Sequence, residues 1–301
     1  MKKLLLISIL LFSSLFVAKA QDDEGSEKVE WERMTPRSTF IPRTIIKDKK
    51  PIEYMPYREA DVAWSRIVWR IIDCREKMNY ALYYPTISLD YRKSLVQTLY
   101  NGILSGAVQA YNTDDDEFKV TMTPEEVLSR FDASDRVVTQ EKIDGSGDTT
   151  IVIRGEIHWE EVREFIVKEE WYFDRHYSQL FVRIVGICPV RIYNKELNLD
   201  DEDMVMASGQ ELKRKLFWVY FPEARRALAN EAAYFGQNDL AQVSYDDLFH
   251  KRRFQSYIIA EANNLNNRMV NDYTRTGIEA MMESDRIKKS IMDFESDLWE
   301  Y

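Results

Sequence analysis

Histidine and cysteine, the side chains that most often ligate metals or attack a substrate, are scarce here: three of the first and two of the second in 301 residues. His158, His176 and His250 stand in no HExxH spacing, Cys74 and Cys188 in no CxxC, and no GxSxG elbow, Walker phosphate loop or GxGxxG turn occurs. His158-Trp-Glu160 matches one half of a zinc deaminase signature, but the P-C-x-x-C half is missing and Cys188-Pro189 runs in the reverse order. The sequence therefore offers no catalytic set, no metal ligands and no cofactor cradle. Two cysteines so far apart make no disulfide framework; a single bridge and two buried apolar thiols both fit them.

Positive charge is short as well, with 41 Lys and Arg against 51 Asp and Glu. Long apolar runs are missing apart from Leu4 to Val17, whose 14 residues fall short of the ~20 that span a bilayer. Preceded by Lys2-Lys3 and followed by Ala18-Lys19-Ala20, that run reads as a secretory signal peptide over residues 1–20, with Gln21 first after cleavage. No cysteine stands near the cut to carry a lipid, so the expected product is exported and unanchored. Losing Lys2, Lys3 and Lys19 and no acid leaves 38 bases against 51 acids, which argues against nucleic acid as a ligand.

Residues 21–57 read as an arm, because Pro36, Pro42, Pro51 and Pro56 prevent helix and favour an extended path. The arm carries Phe40, Ile45, Ile46 and other apolar residues, too many for a free linker, so it either lies along its own domain or docks on a neighbouring molecule. From Arg58 to Pro85, Ala60, Trp64, Ile67, Ile71, Cys74, Met78 and Ala81 recur at steps of four and three, which predicts one amphipathic helix. Val68, Trp69 and Ile72 widen its stripe, so it packs on more than one side, and Tyr84-Pro85 ends it. Its tryptophans require a large facing surface, the domain's own sheet or another subunit; Trp69 is thus a candidate partner contact.

Ser94 to Tyr111 predicts a second helix and Thr123-Pro-Glu-Glu126 announces a short third one. The period then changes. Val137 to Ile143 and Thr149 to Ile153 predict a hairpin across a glycine turn, and β-rich runs follow at Arg163 to Phe173, Gln179 to Val190 and Lys215 to Phe221. Beyond Pro222 the pattern is helical, with helices at Glu223 to Phe235, from Tyr245 behind a Ser244 cap, and behind a Ser284 cap with Ile287, Ile291, Phe294 and Leu298 inward. The expected fold over residues 58–301 is α+β: an antiparallel sheet of about five strands flanked by N-terminal and C-terminal helices. Arg225, Arg226, Lys251, Arg252 and Arg253 are basic clusters in an acidic chain, either solvated helix faces or contacts for a neighbouring subunit. Glu160, Glu161, Glu164, Glu169 and Glu170 offer carboxylates for glycoside hydrolysis, and Trp159, Trp171 and Trp218 offer a carbohydrate-binding surface. In a chain this acidic, chance proximity accounts for the former.

Four segments, READVAWSRIVWRIIDCREKMNYALYYP (58–85), KEEWYFDRHYSQLFVRIVGICPV (168–190), LFWVYFPEARRAL (216–228) and DDLFHKRRFQSYI (246–258), resemble the GldN/PorN family of gliding motility and type IX secretion. The likeness runs from about residue 34 to the C-terminus, with Cys74 and Cys188 where aliphatic residues are expected. It implies a non-enzymatic periplasmic part that forms a ring with an outer-membrane lipoprotein, GldK or PorK, and is engaged by the periplasmic portion of the motor protein GldM or PorM. Ring subunits need two unlike faces, and the arm and the basic clusters are the candidates.

Overall fold

The computed structural model describes residues 49–87, 92–133, 136–141, 148–153, 155–194, 211–233 and 243–298. They fall within one compact unit, Ile46–Tyr301. The signal peptide and most of the arm, Phe40, Ile45 and Ile46 included, lie outside the described residues.

In chain order the strands are β1 (Val62–Asp73), β2 (Ala110–Tyr111), β3 (Thr121–Met122), β4 (Arg136–Glu141), β5 (Asp148–Ile153), β6 (Val162–Asp174), β7 (Gln179–Asn194), β8 (Glu211–Lys215), β9 (Trp218–Tyr220), β10 (Ala232–Ala233), β11 (Val243–Ser244) and β12 (Tyr257–Glu261). The helices are α1 (Tyr80–Tyr83), α2 (Leu95–Leu104), α3 (Pro124–Arg130), α4 (Phe221–Ala229), α5 (Tyr245–His250), α6 (Val270–Tyr273) and α7 (Gly277–Asp297). The α+β class holds, but the sheet is larger than expected. Eight strands run β12-β1-β6-β7-β9-β2-β3, with β8 beside β7, and every pairing is antiparallel.

The main correction falls on Arg58 to Pro85, where the expected central helix is a central strand. β1 is paired along its length with β6, from Val62 opposite Asp174 to Asp73 opposite Glu164, and on its other side with β12. Both faces of β1 are covered: Val68 packs against Val270, Ile287 and Ile291, Ile72 lies in the main core, and Trp69 lies in a cluster with Ile166, Cys188 and Trp218. Burial alternates only over the first residues of β1 and is continuous at Val68–Arg70; a strand covered on both sides loses the period of two, and its apolar residues fall into helical steps by accident. The chain turns at Asp73, whose carboxylate accepts from the Arg75 backbone N–H and guanidinium, and α1 ends before Tyr84 as expected.

Alternate residues of the sheet sort the core into two sides. Ile72, Phe165, Val167, Ile187 and Val219 face α2, α4 and α5 with Leu95, Leu99, Phe221, Leu228, Tyr245 and Phe249. Trp69, Ile166, Cys188 and Trp218 face the loop that carries Phe118. This separation decides the cysteines: Cys74 belongs to the first cluster and Cys188 to the second, and both are free and buried.

Local signals fixed the helix starts. Ser94, Thr123 and Ser244 each accept from the backbone N–H three residues on, while Gln97, Glu126 and Asp247 reach back to the cap. Ser284 does not start the last helix; Thr276 does, accepting from the Glu279 N–H. Ser284 sits inside α7, where its hydroxyl accepts from Ile258 N–H at 2.8 Å and occupies a donor on the edge strand β12. The helix expected over Glu223 to Phe235 is α4, which ends at Ala229 before β10 begins. The β4–β5 hairpin forms, with Arg136 opposite Ile153 and Glu141 opposite Asp148.

Candidate functional site

Three of the five candidate glutamates are occupied with holding the sheet together. Glu169, fully buried, accepts from Arg252 at 2.8 and 3.1 Å and from Trp171 Nε1 at 3.1 Å. Glu164 takes Lys213 at 2.6 Å, and Glu161 pairs with Arg191, which also reaches Asp132. Each of these carboxylates faces a cation of its own, so they do not converge as a catalytic pair. His158, His176 and His250 are exposed and come from separate elements. Among the described residues no three His, Cys, Asp or Glu side chains gather to hold a metal. Trp218 is buried, and Trp159 and Trp171 pack against core clusters, which removes the flat exposed rings that a sugar platform needs.

The expected partner residues divide. Trp69 is covered by its own chain. Its Nε1 donates to Asp116 at 2.7 Å, Lys168 Nζ stands 5.5 Å above its ring, and the same Lys168 donates to the Asp116 carbonyl at 2.9 Å. Arg225 is buried in a bidentate pair with Asp246, at 2.7 and 3.1 Å. Arg252 is committed to Glu169. Arg226, Lys251 and Arg253 are exposed.

The described part of the expected arm is a strap. Residues 49–57 run extended along the surface of α4, α5 and the β6–β7 hairpin, without secondary structure of their own. Lys49 pairs with Asp247, Arg225 donates to the Ile52 carbonyl, and Arg183 donates to the Met55 carbonyl. Tyr54 lies between two guanidiniums, Arg225 at 4.1 Å and Arg183 at 5.2 Å from its ring, and burial raises its hydroxyl pKa. Arg183 also stands 4.3 Å over Tyr57, whose ring is 5.1 Å from Tyr172. The proline spacing predicted the extended path. Arg183 carried no signal, because one arginine in a β-rich run looks like any solvated position.

A second feature is apolar surplus outside the core. At the α6–α7 end Ile278, Met281 and Met282 are 71%, 66% and 67% exposed, with Leu265, Met269 and Tyr273 also exposed nearby in sequence. Met281 and Met282 stand three and four positions beyond Ile278, so the three share one face of α7.

Fold and site together define a class: an α+β sheet protein whose ionic side chains tie its own elements to one another and whose spare apolar groups face outward. Its family follows from the sequence match. The model of the family described as gliding motility associated protein GldN covers residues 57–300, and the chain belongs to that family. It is thereby a component of gliding motility and type IX secretion that associates with other parts of that apparatus. No curated protein matches the chain. No helix among the described residues is long and apolar enough to cross a membrane.

Proposed function

We propose that the chain is a non-catalytic structural subunit of the type IX secretion machinery. In this reading it is exported, cleaved near Ala20, and held at the periplasmic side of the outer membrane by a lipoprotein of the GldK/PorK kind. With that lipoprotein it builds a ring of repeated copies, which the periplasmic portion of a GldM/PorM-like motor protein engages. The observation that carries the reading is the GldN match from residue 57 to 300. The ion-paired Glu161, Glu164 and Glu169 and the exposed methionines of α7 support it, since the first are spent on structure and the second suit adhesion. Exposed Arg226, Lys251 and Arg253 offer a basic face to acidic neighbours.

The test is purification from detergent-solubilised outer membrane. The chain should emerge in a large particle together with a lipoprotein and further copies of itself. A lone monomer running without companions overturns the proposal.

A further inference from the structure

The strap is attached in an unusual way for a segment of a folded domain. Its holds on the body are two arginine hydrogen bonds to main-chain carbonyls, the Lys49 amine on Asp247 and Ser244, and a few rings, while Ile52 and Met55 are 50% and 49% exposed. Docking it therefore buries little apolar area, and burial is the term that normally fixes a segment in place. The receptor does not depend on the strap for its construction: Arg225 and Asp246 are locked to each other beneath it, and Arg183 and Tyr172 belong to β7 and β6, which pair with each other from Asp174 opposite Gln179 to Val162 opposite Arg191. Pro51 and Pro56 keep the segment extended, and the connection beyond it, Arg58 to Ala60, is exposed throughout. A stiff segment with an open hinge fits a receptor that recognises main chain and one tyrosine, and every copy of the chain carries the same receptor.

We propose that residues 49–57 are exchanged between copies, the strap of one subunit lying in the Arg183–Arg225 groove of the next. This rests on the self-association proposed above and supplies its two unlike faces: the strap is one, the groove the other, and a head-to-tail contact of this kind repeats around a ring. Exchange also accounts for the exposed Ile52 and Met55, which then lie in the seam between two bodies. The occupant is a second copy of this chain, because the groove fits this segment's carbonyl spacing and its Tyr54.

The Lys49–Asp247 pair provides the readout, since a carbodiimide joins an amine to a carboxylate only where the two touch. One copy carries Lys49→Arg with Lys50→Arg, so it has no amine to give. A differently tagged copy carries Asp247→Asn and has no carboxylate to receive. Neither closes the link within itself. Complexes containing both copies are purified through the two tags in turn, cross-linked and digested, with unsubstituted complexes beside them. Exchange predicts a Lys49–Asp247 peptide pair in both samples. A link in the unsubstituted complex and none in the mixed one overturns exchange and leaves the ring reading standing. Failure of the two tags to co-purify overturns the ring reading and exchange with it.

Discussion

Arg252 stands at a φ of +50°, immediately past the C-terminus of α5, in the position where a helix that closes with two reverse bonds favours glycine. Both bonds are present: Arg253 N–H donates to Leu248 O at 2.9 Å and Arg252 N–H to Phe249 O at 3.1 Å. A left-handed conformation costs an arginine about 1 kcal/mol relative to glycine. The guanidinium more than offsets this, since it is the cation that faces fully buried Glu169 and also lies 5.5 Å from the Trp171 ring. Arg252→Gly should therefore destabilise the protein in spite of relieving the backbone, by about 1–3 kcal/mol for the unsatisfied acceptor it leaves. Urea unfolding checks this, and a variant as stable as the parent refutes the pairing argument. The cysteines make a second case. Burial raises the Cys74 pKa and pushes that of Cys188 up to about 12, so neither thiol is a nucleophile near neutrality. Maleimide should label neither in the folded protein and both in urea. Mass spectrometry reads the difference, and a bridge would show as no labelling in either.

Among the elements, what was legible in the sequence depended on whether its cause was local. Caps are local, and Thr123 and Ser244 begin their helices where the cap residues said. The β6–β7 hairpin was legible because aromatic and β-branched residues flank a short polar turn. β1 was not, since its reading depends on what covers it, and that comes from α7, β12 and the Phe118 loop, all distant in sequence. Val62, Ile67, Val68, Ile71 and Ile72 were the clue, being too β-branched for a confident helix. The strap was half legible: prolines gave its path, but only the folded body shows Arg183 and Arg225 waiting for its carbonyls. The Phe118 loop yields a prediction at this scale. It closes the second side of the sheet through Trp69, Lys168 and Asp116, and the Phe118 ring fits only because Gly186 has no side chain; a Cβ there would lie 2.5 Å from Cζ of Phe118. Gly186→Ala should displace the ring, cost about 1–3 kcal/mol by overpacking and open residues 112–119 to protease. Unchanged cleavage in that loop would refute the assigned role.

For the molecule as a whole, the titratable groups define a plateau of stability against pH. Asp247 is pushed up by partial burial, but Lys49 and Ser244 outweigh this and hold its pKa below the ordinary value; Arg75 does the same for Asp73. Glu283 is lowered by its hydrogen bond from Arg286. A carboxylate depressed in the folded state contributes stability that is present above its unfolded pKa, near 4, and is lost as the pH falls through the folded value. Glu76, raised by burial and by Asp73, runs the other way, one group against three. At the alkaline end burial raises Tyr245, Tyr54 and Tyr257. A raised tyrosine contributes stability that is complete below the unfolded value, near 10, and declines as the pH climbs through the folded one. The buried Cys74 and Cys188 thiols, raised likewise, begin to lose their contribution above their unfolded value near 8.5. Melting temperature should therefore stay level between about pH 5 and pH 8, fall below about 4, and fall above about 8.5 and more steeply above about 10. Asp247→Asn should flatten part of the acid limb and leave the alkaline limb as it was, because the amide has no proton to take up between those values. A uniform slope across the neutral range, or an acid limb that the substitution does not touch, would show that these pairs do not govern the folding of the subunit.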